Sequence, residues 1–201
     1  MPRTLYQLKP AFQTLLRPAT KALRDSGVTP NQITISAVAL SVSTGVILAT
    51  NSHRLRLLLL LAPVLFLRMA LNAIDGMLAR EFGMESPSGA ILNELGDVIS
   101  DTALYLPLAL GWGFSPILIT LIVIIAVICE MSGALGLPTG TRRHEGPMGK
   151  SDRAFIFGVT SLAIGFGVPA GPWQNIVLEL TLFLLLITIA NRTRAAISEA
   201  R

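Results

Sequence analysis

This sequence of 201 residues contains little cysteine and few charged side chains. The single cysteine, Cys129, lies within an apolar run, which excludes a disulfide framework and a metal cluster built on cysteines. Charged residues make up 14% of the chain and hydrophobic residues 52%, whereas a soluble domain averages about 25% charged residues. So apolar a composition is typical of a protein whose surface faces lipid.

Patterns that indicate a nucleic-acid ligand are also missing. The net charge is +4, but the sequence has neither an arginine-aromatic pattern nor a basic tail. We therefore expect no nucleic-acid partner and take the lipid bilayer as the surroundings of the chain.

The hydrophobic pattern predicts an all-α, polytopic membrane protein that forms one domain over residues 1–201. A membrane span needs about 20 predominantly apolar residues. Six stretches fit this length, near residues 33–50, 57–79, 89–111, 115–135, 153–170 and 174–191. An amphipathic pattern over residues 4–25 predicts an additional helix at the membrane interface. Docking of this helix on the protein's own surface is the alternative.

The distribution of cations predicts the orientation of the chain in the cell membrane. With both termini in the cytoplasm, Arg54 and Arg56 lie outside and Arg68 lies within a span. The other lysines and arginines then lie on the cytoplasmic side: Arg3, Lys9, Arg17, Lys21, Arg24, Arg80, Arg142, Arg143, Lys150, Arg153, Arg192, Arg194 and Arg201.

Polar and ionisable residues concentrate in the second and third predicted spans, although such residues are costly within a membrane and usually face an interior cavity. They are Arg68, Asn72, Asp75, Asn93, Glu94, Asp97 and Asp101. If the two helices fold together about the turn near residue 84, Asn72 meets Asp97 and Arg68 meets Asp101. Because a lone Arg68 in a span would be expensive, we expect it to form a structural ion pair with Asp101.

These side chains predict a phosphate-transfer site. Clustered oxygen ligands suit a hard divalent cation such as Mg²⁺ or Mn²⁺. Gly76 and Gly89 leave room for a ligand to approach the backbone. Arg80, at the cytoplasmic end of its span, can contact phosphate.

The segment from Asn72 to Asp97 resembles the signature of the CDP-alcohol phosphotransferase family. That signature reads D-x2-D-G-x2-A-R-x8-G-x3-D-x3-D, and this chain reads N-x2-D-G-x2-A-R-x8-G-x3-N-x3-D with every spacing kept. The run GVTPNQIT at Gly27–Thr34 also looks like the stretch that precedes the family's first membrane helix. The resemblance implies an enzyme with six spans, and it suggests a homodimer.

The resemblance also implies roles for individual residues. The family's aspartates bind two metal ions, which hold the CDP pyrophosphate, and the fourth aspartate acts as general base. The positions that match these metal ligands are Asn72, Asp75, Asn93 and Asp97, and Asp97 is the predicted base. The predicted CDP-binding residues are Gly76, Ala79, Arg80 and Gly89, together with Asn31 and Thr34. Capping of the first span is the alternative role of Asn31 and Thr34.

Asn72 and Asn93 replace two of the family's four aspartates. The matched positions then carry a charge of −2, which balances one divalent ion, and one ion is favoured over two. Two alternatives stay open: Glu94 or Asp101 restores a second ion, or the protein is a catalytically impaired homologue that acts in lipid or nucleotide binding or in assembly.

A second basic segment covers residues 141–153. The resemblance places the acceptor pocket here, with Arg142, Arg143, Lys150 and Arg153 as acceptor-binding candidates, and ordinary cytoplasmic charge bias is the alternative. We expect transfer of a phosphatidyl group from a CDP-alcohol such as CDP-diacylglycerol to an alcohol acceptor, with release of CMP. The basic segment favours a phosphorylated acceptor, which the sequence does not identify further.

Overall fold

The computed structural model describes residues 9–135 and 146–199, and this part of the chain is helical with no strands. The all-α prediction is thereby confirmed for these residues. Two 3₁₀ segments, Leu55–Leu60 and Leu106–Leu110, precede α3 and follow α4. The α-helices are α1 (Lys9–Asp25), α2 (Pro30–Thr50), α3 (Leu61–Glu81), α4 (Pro87–Tyr105), α5 (Pro116–Ala134), α6 (Lys150–Gly165) and α7 (Pro172–Glu199).

Local sequence sets the ends of the helices that carry the polar residues. Helix α2 begins with a capping box, in which Thr29 accepts a hydrogen bond from the Gln32 backbone and the Gln32 side chain accepts one from the Thr29 backbone. Ser86 caps α4 by accepting from the Gly89 backbone N–H at 3.0 Å. Gly83 follows the end of α3 by two residues, and its φ of 67° closes the turn between α3 and α4.

Helix α2 packs against both α3 and α4, while α6 packs on α3, and α7 on α5. Small residues permit the close approach of α2 and α4. A Cβ atom on Gly45 would lie 2.1 Å from the backbone oxygen of Ala103. A Cβ atom on Gly96 would lie 3.0 Å from a methyl group of Val38. This packing leaves α3 and α4 on either side of α2, with a gap that their polar side chains bridge.

Four helical segments are long and apolar enough to cross a membrane: Pro30–Thr50, Leu55–Glu81, Pro116–Ala134 and Pro172–Ser198. Helix α4 is less apolar because it carries Glu94, Asp97 and Asp101, and α6 has only 16 residues. Helix α4 overlaps the predicted third span, and α6 overlaps the predicted fifth span. The described residues therefore support several membrane crossings, and the count of six stays a prediction.

Helix α1 covers residues 9–25 of the predicted 4–25 segment, and residues 1–8 lie outside the described part of the chain. It packs on α3. Thr20 is fully buried, and the ring of Phe12 meets that of Phe66 edge-on with centroids 5.8 Å apart. These contacts favour docking on the protein's own surface, and a position at the membrane interface stays a prediction.

Candidate active site

Helices α2, α3 and α4 enclose a narrow polar crevice at the centre of the molecule. Its walls include Thr34 from α2, Asn72 from α3, and Asn93 and Asp97 from α4. The Asn72 side-chain amide donates a hydrogen bond to Asp97 Oδ1 at 2.7 Å. The structure thus places Asn72 against Asp97, which is the pairing that folding the two helices about their turn predicts.

Asp75 is buried beside this crevice and is held from α2. Thr34 Oγ1 donates to Asp75 Oδ2 at 3.0 Å and lies 3.3 Å from the Pro30 carbonyl oxygen, one turn earlier in α2. Asp75 is also close enough to Asp97 and Arg80 to interact with both electrostatically. Because Thr29 caps α2, the capping role considered for Asn31 and Thr34 is wrong. Thr34 instead positions a carboxylate.

The predicted CDP-binding residues lie around the ends of α3 and α4. The guanidinium group of Arg80 lies over Gly76, where a Cβ atom would be 2.4 Å from Arg80 Nη2. A Cβ atom on Gly89 would lie 2.8 Å from Asn31 Oδ1, so Gly89 lets α2 and α4 meet at this end. Arg80 is exposed and Ala79 is half-buried. We refer to this end of the three helices as the mouth of the crevice.

Arg68 closes the deep end of the crevice by bridging the gap between α3 and α4. Its Nη1 atom donates to Asp101 Oδ1, and its Nη2 atom lies 3.1 Å from both the side chain and the backbone oxygen of Asp97. The structure therefore contains the Arg68–Asp101 ion pair that the sequence predicts. The additional contact of Arg68 with Asp97 is not evident from the helical spacing.

Helix α6 supplies two more cations to the same carboxylates. Arg153 is fully buried, with Nη2 at 2.7 Å from Asp101 Oδ2 and 3.0 Å from Glu130 Oε1. Lys150 donates to Asp97 Oδ2, and its Nζ atom lies 3.7 Å from Glu130 Oε2. We refer to Arg68, Lys150, Arg153, Asp97, Asp101 and Glu130 as the ion network. Within the described part of the chain, its three cations and three carboxylates balance.

This arrangement changes the expectation for the acceptor-binding candidates. Arg153 exposes none of its side chain and binds carboxylates, which is a structural contact and not an open anion site. Lys150 contacts Asp97 while 29% of its side chain stays exposed. Arg142 and Arg143 lie outside the described residues. The sequence does not reveal that Lys150 and Arg153 contact Asp97 and Asp101, because helical periodicity relates residues only within one helix.

The oxygen donors of the crevice fit one hard cation. Among the described residues, no three histidine, cysteine or acidic side chains are grouped as a metal site. Asp75 offers a carboxylate, and the oxygen atoms of Asn72 and Asn93 are neutral donors of the same hard type. Mg²⁺ usually takes one or two carboxylates from the protein and completes its shell with water and substrate phosphate. This donor set is therefore sufficient for one such ion.

Two similar proteins align with most of this chain. The inner membrane protein YnbA of Escherichia coli (strain K12) is 47% identical over 195 residues, which cover 96% of each chain. The phosphatidylinositol phosphate synthase of Corynebacterium glutamicum is 26% identical over 180 residues, covering 84% of this chain and 80% of that protein.

Solved structures share the fold. The phosphatidylinositol phosphate synthase of Mycobacterium tuberculosis, crystallised with CDP-DAG bound, has a TM-score of 0.72 at 23% identity over 89% of this chain and 92% of that one. Its complex with manganese and citrate also has a TM-score of 0.72. Residues 27–197 match the CDP-alcohol phosphatidyltransferase family, a range that includes the whole crevice and the ion network. The chain belongs to the CDP-alcohol phosphatidyltransferase family.

Proposed function

We propose that this protein transfers a phosphatidyl or similar substituted phosphate group from a CDP-alcohol, such as CDP-diacylglycerol, to the hydroxyl group of an acceptor, with release of CMP. One observation carries the proposal: the motif residues Asn72, Asn93 and Asp97 line one crevice, and the neighbouring Asp75 interacts electrostatically with Asp97 and Arg80. The CDP-DAG complex of the structural neighbour supports a lipid-linked CDP substrate.

Asp75, Asn72 and Asn93 are the proposed ligands of one divalent ion, Mg²⁺ or Mn²⁺. When bound, this ion neutralises negative charge on the diphosphate of the substrate. Thr34 holds the Asp75 carboxylate in place, since its hydroxyl group donates to one carboxylate oxygen. Arg80 contacts phosphate at the mouth, where Gly76 gives its guanidinium group room to lie close to the backbone. Ala79, Gly89 and Asn31 form the proposed nucleotide-facing surface around it.

Asp97 is the proposed general base. The acceptor oxygen attacks the β-phosphorus, the bond from that phosphorus to the CMP oxygen breaks, and the hydroxyl proton passes to Asp97. Arg68 and Asn72 orient this carboxylate from the deep side. Lys150 stands between Asp97 and the mouth, where its partly exposed ammonium group can also bind an anionic acceptor such as a phosphorylated alcohol.

The proposed topology has six spans with both termini and the mouth of the crevice in the cytoplasm. Helices α4 and α6 would be the two spans beyond the four most apolar ones. They carry four of the six residues of the ion network, and Asp97, Asp101, Lys150 and Arg153 therefore pair with one another and with Arg68 and Glu130 inside the bundle. This internal pairing makes two less apolar helices compatible with a membrane-buried position.

CMP release from CDP-diacylglycerol by the purified protein in lipid nanodiscs tests the function. Inositol phosphate, glycerol phosphate, serine and inositol are offered separately, with Mg²⁺ or with Mn²⁺. We expect acceptor-dependent CMP release with a phosphorylated alcohol, and a loss of at least 100-fold in D97N, the usual contribution of a general base being about 10²–10⁴. Binding of CDP-diacylglycerol without CMP release for any acceptor would refute the enzymatic proposal and favour a binding protein.

A further inference from the structure

Asp97 is surrounded by hydrogen-bond donors that belong to the protein. Oδ1 lies 2.7 Å from the Asn72 amide nitrogen and 3.1 Å from Arg68 Nη2. Oδ2 accepts from the Lys150 ammonium group. An ionised carboxylate has about four lone-pair positions, so three donors occupy most of its capacity.

The charges around Asp97 also argue against a divalent ion at this carboxylate. Counted over the described residues, the ion network of Arg68, Lys150, Arg153, Asp97, Asp101 and Glu130 is neutral. A divalent ion at Asp97 would lie next to two cations of the protein. Asp75 is different, because its one side-chain hydrogen bond within the described residues comes from the uncharged Thr34 hydroxyl group, and Arg80 acts on it electrostatically without a hydrogen bond among the described contacts. The carboxylate that is open to an ion is therefore Asp75.

Asn72 and Lys150 complement each other in this arrangement. With aspartate at position 72, two carboxylates would lie at the present hydrogen-bond distance of 2.7 Å and would need a cation or a shared proton between them. The Asn72 amide removes that need by donating directly to Asp97. Lys150 then supplies to the other carboxylate oxygen the positive charge that an ion would otherwise bring.

We propose that the Lys150 ammonium group and the Asn72 amide together take the place of a second divalent cation at Asp97, so that the site binds one ion, held at Asp75. The inference rests on the proposed function only in that the ion is the one used in phosphate transfer. Lys150 is then a positioning residue built into the chain, and the exchange of aspartate for asparagine at position 72 is matched by a lysine from a distant helix.

Equilibrium binding of Mn²⁺, followed by the electron paramagnetic resonance signal of free Mn²⁺, tests this without any lipid substrate. The proteins compared are the unaltered chain, N72D, K150Q and N72D/K150Q. We expect one Mn²⁺ for each chain in the first three and two in the double variant. A matched control, N72D/K21Q, makes the same change in charge but at the exposed Lys21, and it should still bind one.

Two ions or none in the unaltered protein would overturn the inference. So would a second ion in either single variant or in the control, or a double variant that stays at one. Each protein must elute as a single sharp peak in detergent, and K150M replaces K150Q if the latter does not. CMP release is a separate measurement, so one bound ion with no turnover refutes the proposed function and leaves the stoichiometry standing.

Discussion

The charge balance around Asp101 predicts how this membrane protein responds to loss of a buried ion. Asp101 accepts from Arg68 at one carboxylate oxygen and from Arg153 at the other. Asp101→Asn keeps the shape of the side chain but leaves the ion network with three cations and two carboxylates. Arg153→Met leaves it with two cations and three carboxylates. Both single variants therefore bury one uncompensated charge, whereas the double variant D101N/R153M restores neutrality with two of each.

The magnitude follows from burial, because the Arg153 side chain exposes none of its surface and that of Asp101 exposes 10%. Breaking a buried pair by removing one partner costs about 3–5 kcal/mol. One kcal/mol corresponds to roughly 2–4 °C in Tm for a chain of this size. We therefore expect each single variant to melt about 6–20 °C below the unaltered protein. The double variant should lose less than half of the summed losses.

Thermal unfolding of the four proteins in the same detergent, followed by the fraction that stays monodisperse, measures these shifts. Lys21→Gln, which removes a cation from an exposed position, is the matched control and should melt within about 2 °C of the unaltered protein. A double variant whose Tm loss equals the sum of the two single losses would refute the reasoning, because the two charges would then be energetically independent.

Three further predictions concern contacts around the crevice. Gly45→Ala brings a methyl group against an α4 carbonyl oxygen at 2.1 Å and should cost about 1–3 kcal/mol, whereas Gly158→Ala, whose Cβ atom would have its nearest neighbour at an ordinary 3.7 Å, should melt unchanged. Thr34→Val removes the hydrogen bond to the Asp75 carboxylate and should lower Mn²⁺ affinity about tenfold, or 1.4 kcal/mol. Thr34→Ser keeps the hydroxyl group and should retain the Mn²⁺ affinity. Equal affinities for the two variants would contradict the positioning role of Thr34. Gly76→Ala displaces the guanidinium group of Arg80. In equilibrium binding it should raise the Kd for CDP-diacylglycerol by about tenfold, or 1.4 kcal/mol. An unchanged Kd would count against a phosphate contact by Arg80.

Relations within one helix and across one turn were predictable. The steps between Arg68 and Asn72 and between Asp97 and Asp101 follow from helical periodicity, and the short connection at Gly83 makes α3 and α4 antiparallel. These two regularities are enough to place Asn72 opposite Asp97 and Arg68 opposite Asp101. They do not reveal that α2 lies between the two helices and that Thr34 reaches Asp75 from it.

The contribution of α6 could not be predicted in the same way. Lys150 is 53 residues from Asp97 and Arg153 is 52 residues from Asp101. In the sequence they belong to a basic segment that fits charge bias or an acceptor pocket equally well. Burial distinguishes them, because Arg153 is enclosed between Asp101 and Glu130 while Lys150 remains open to the mouth. Packing therefore makes Arg153 a structural residue and leaves Lys150 as the residue of the site.

The sequence alone determined the helical membrane architecture, the motif and the pairing of Asn72 with Asp97, because composition and helical spacing are local properties. The tertiary structure alone decided which cations neutralise Asp97 and Asp101, since that depends on how α6 packs against α3. A buried charge must be compensated by whatever side chain reaches it, and the chain distance between the partners carries no information about that contact.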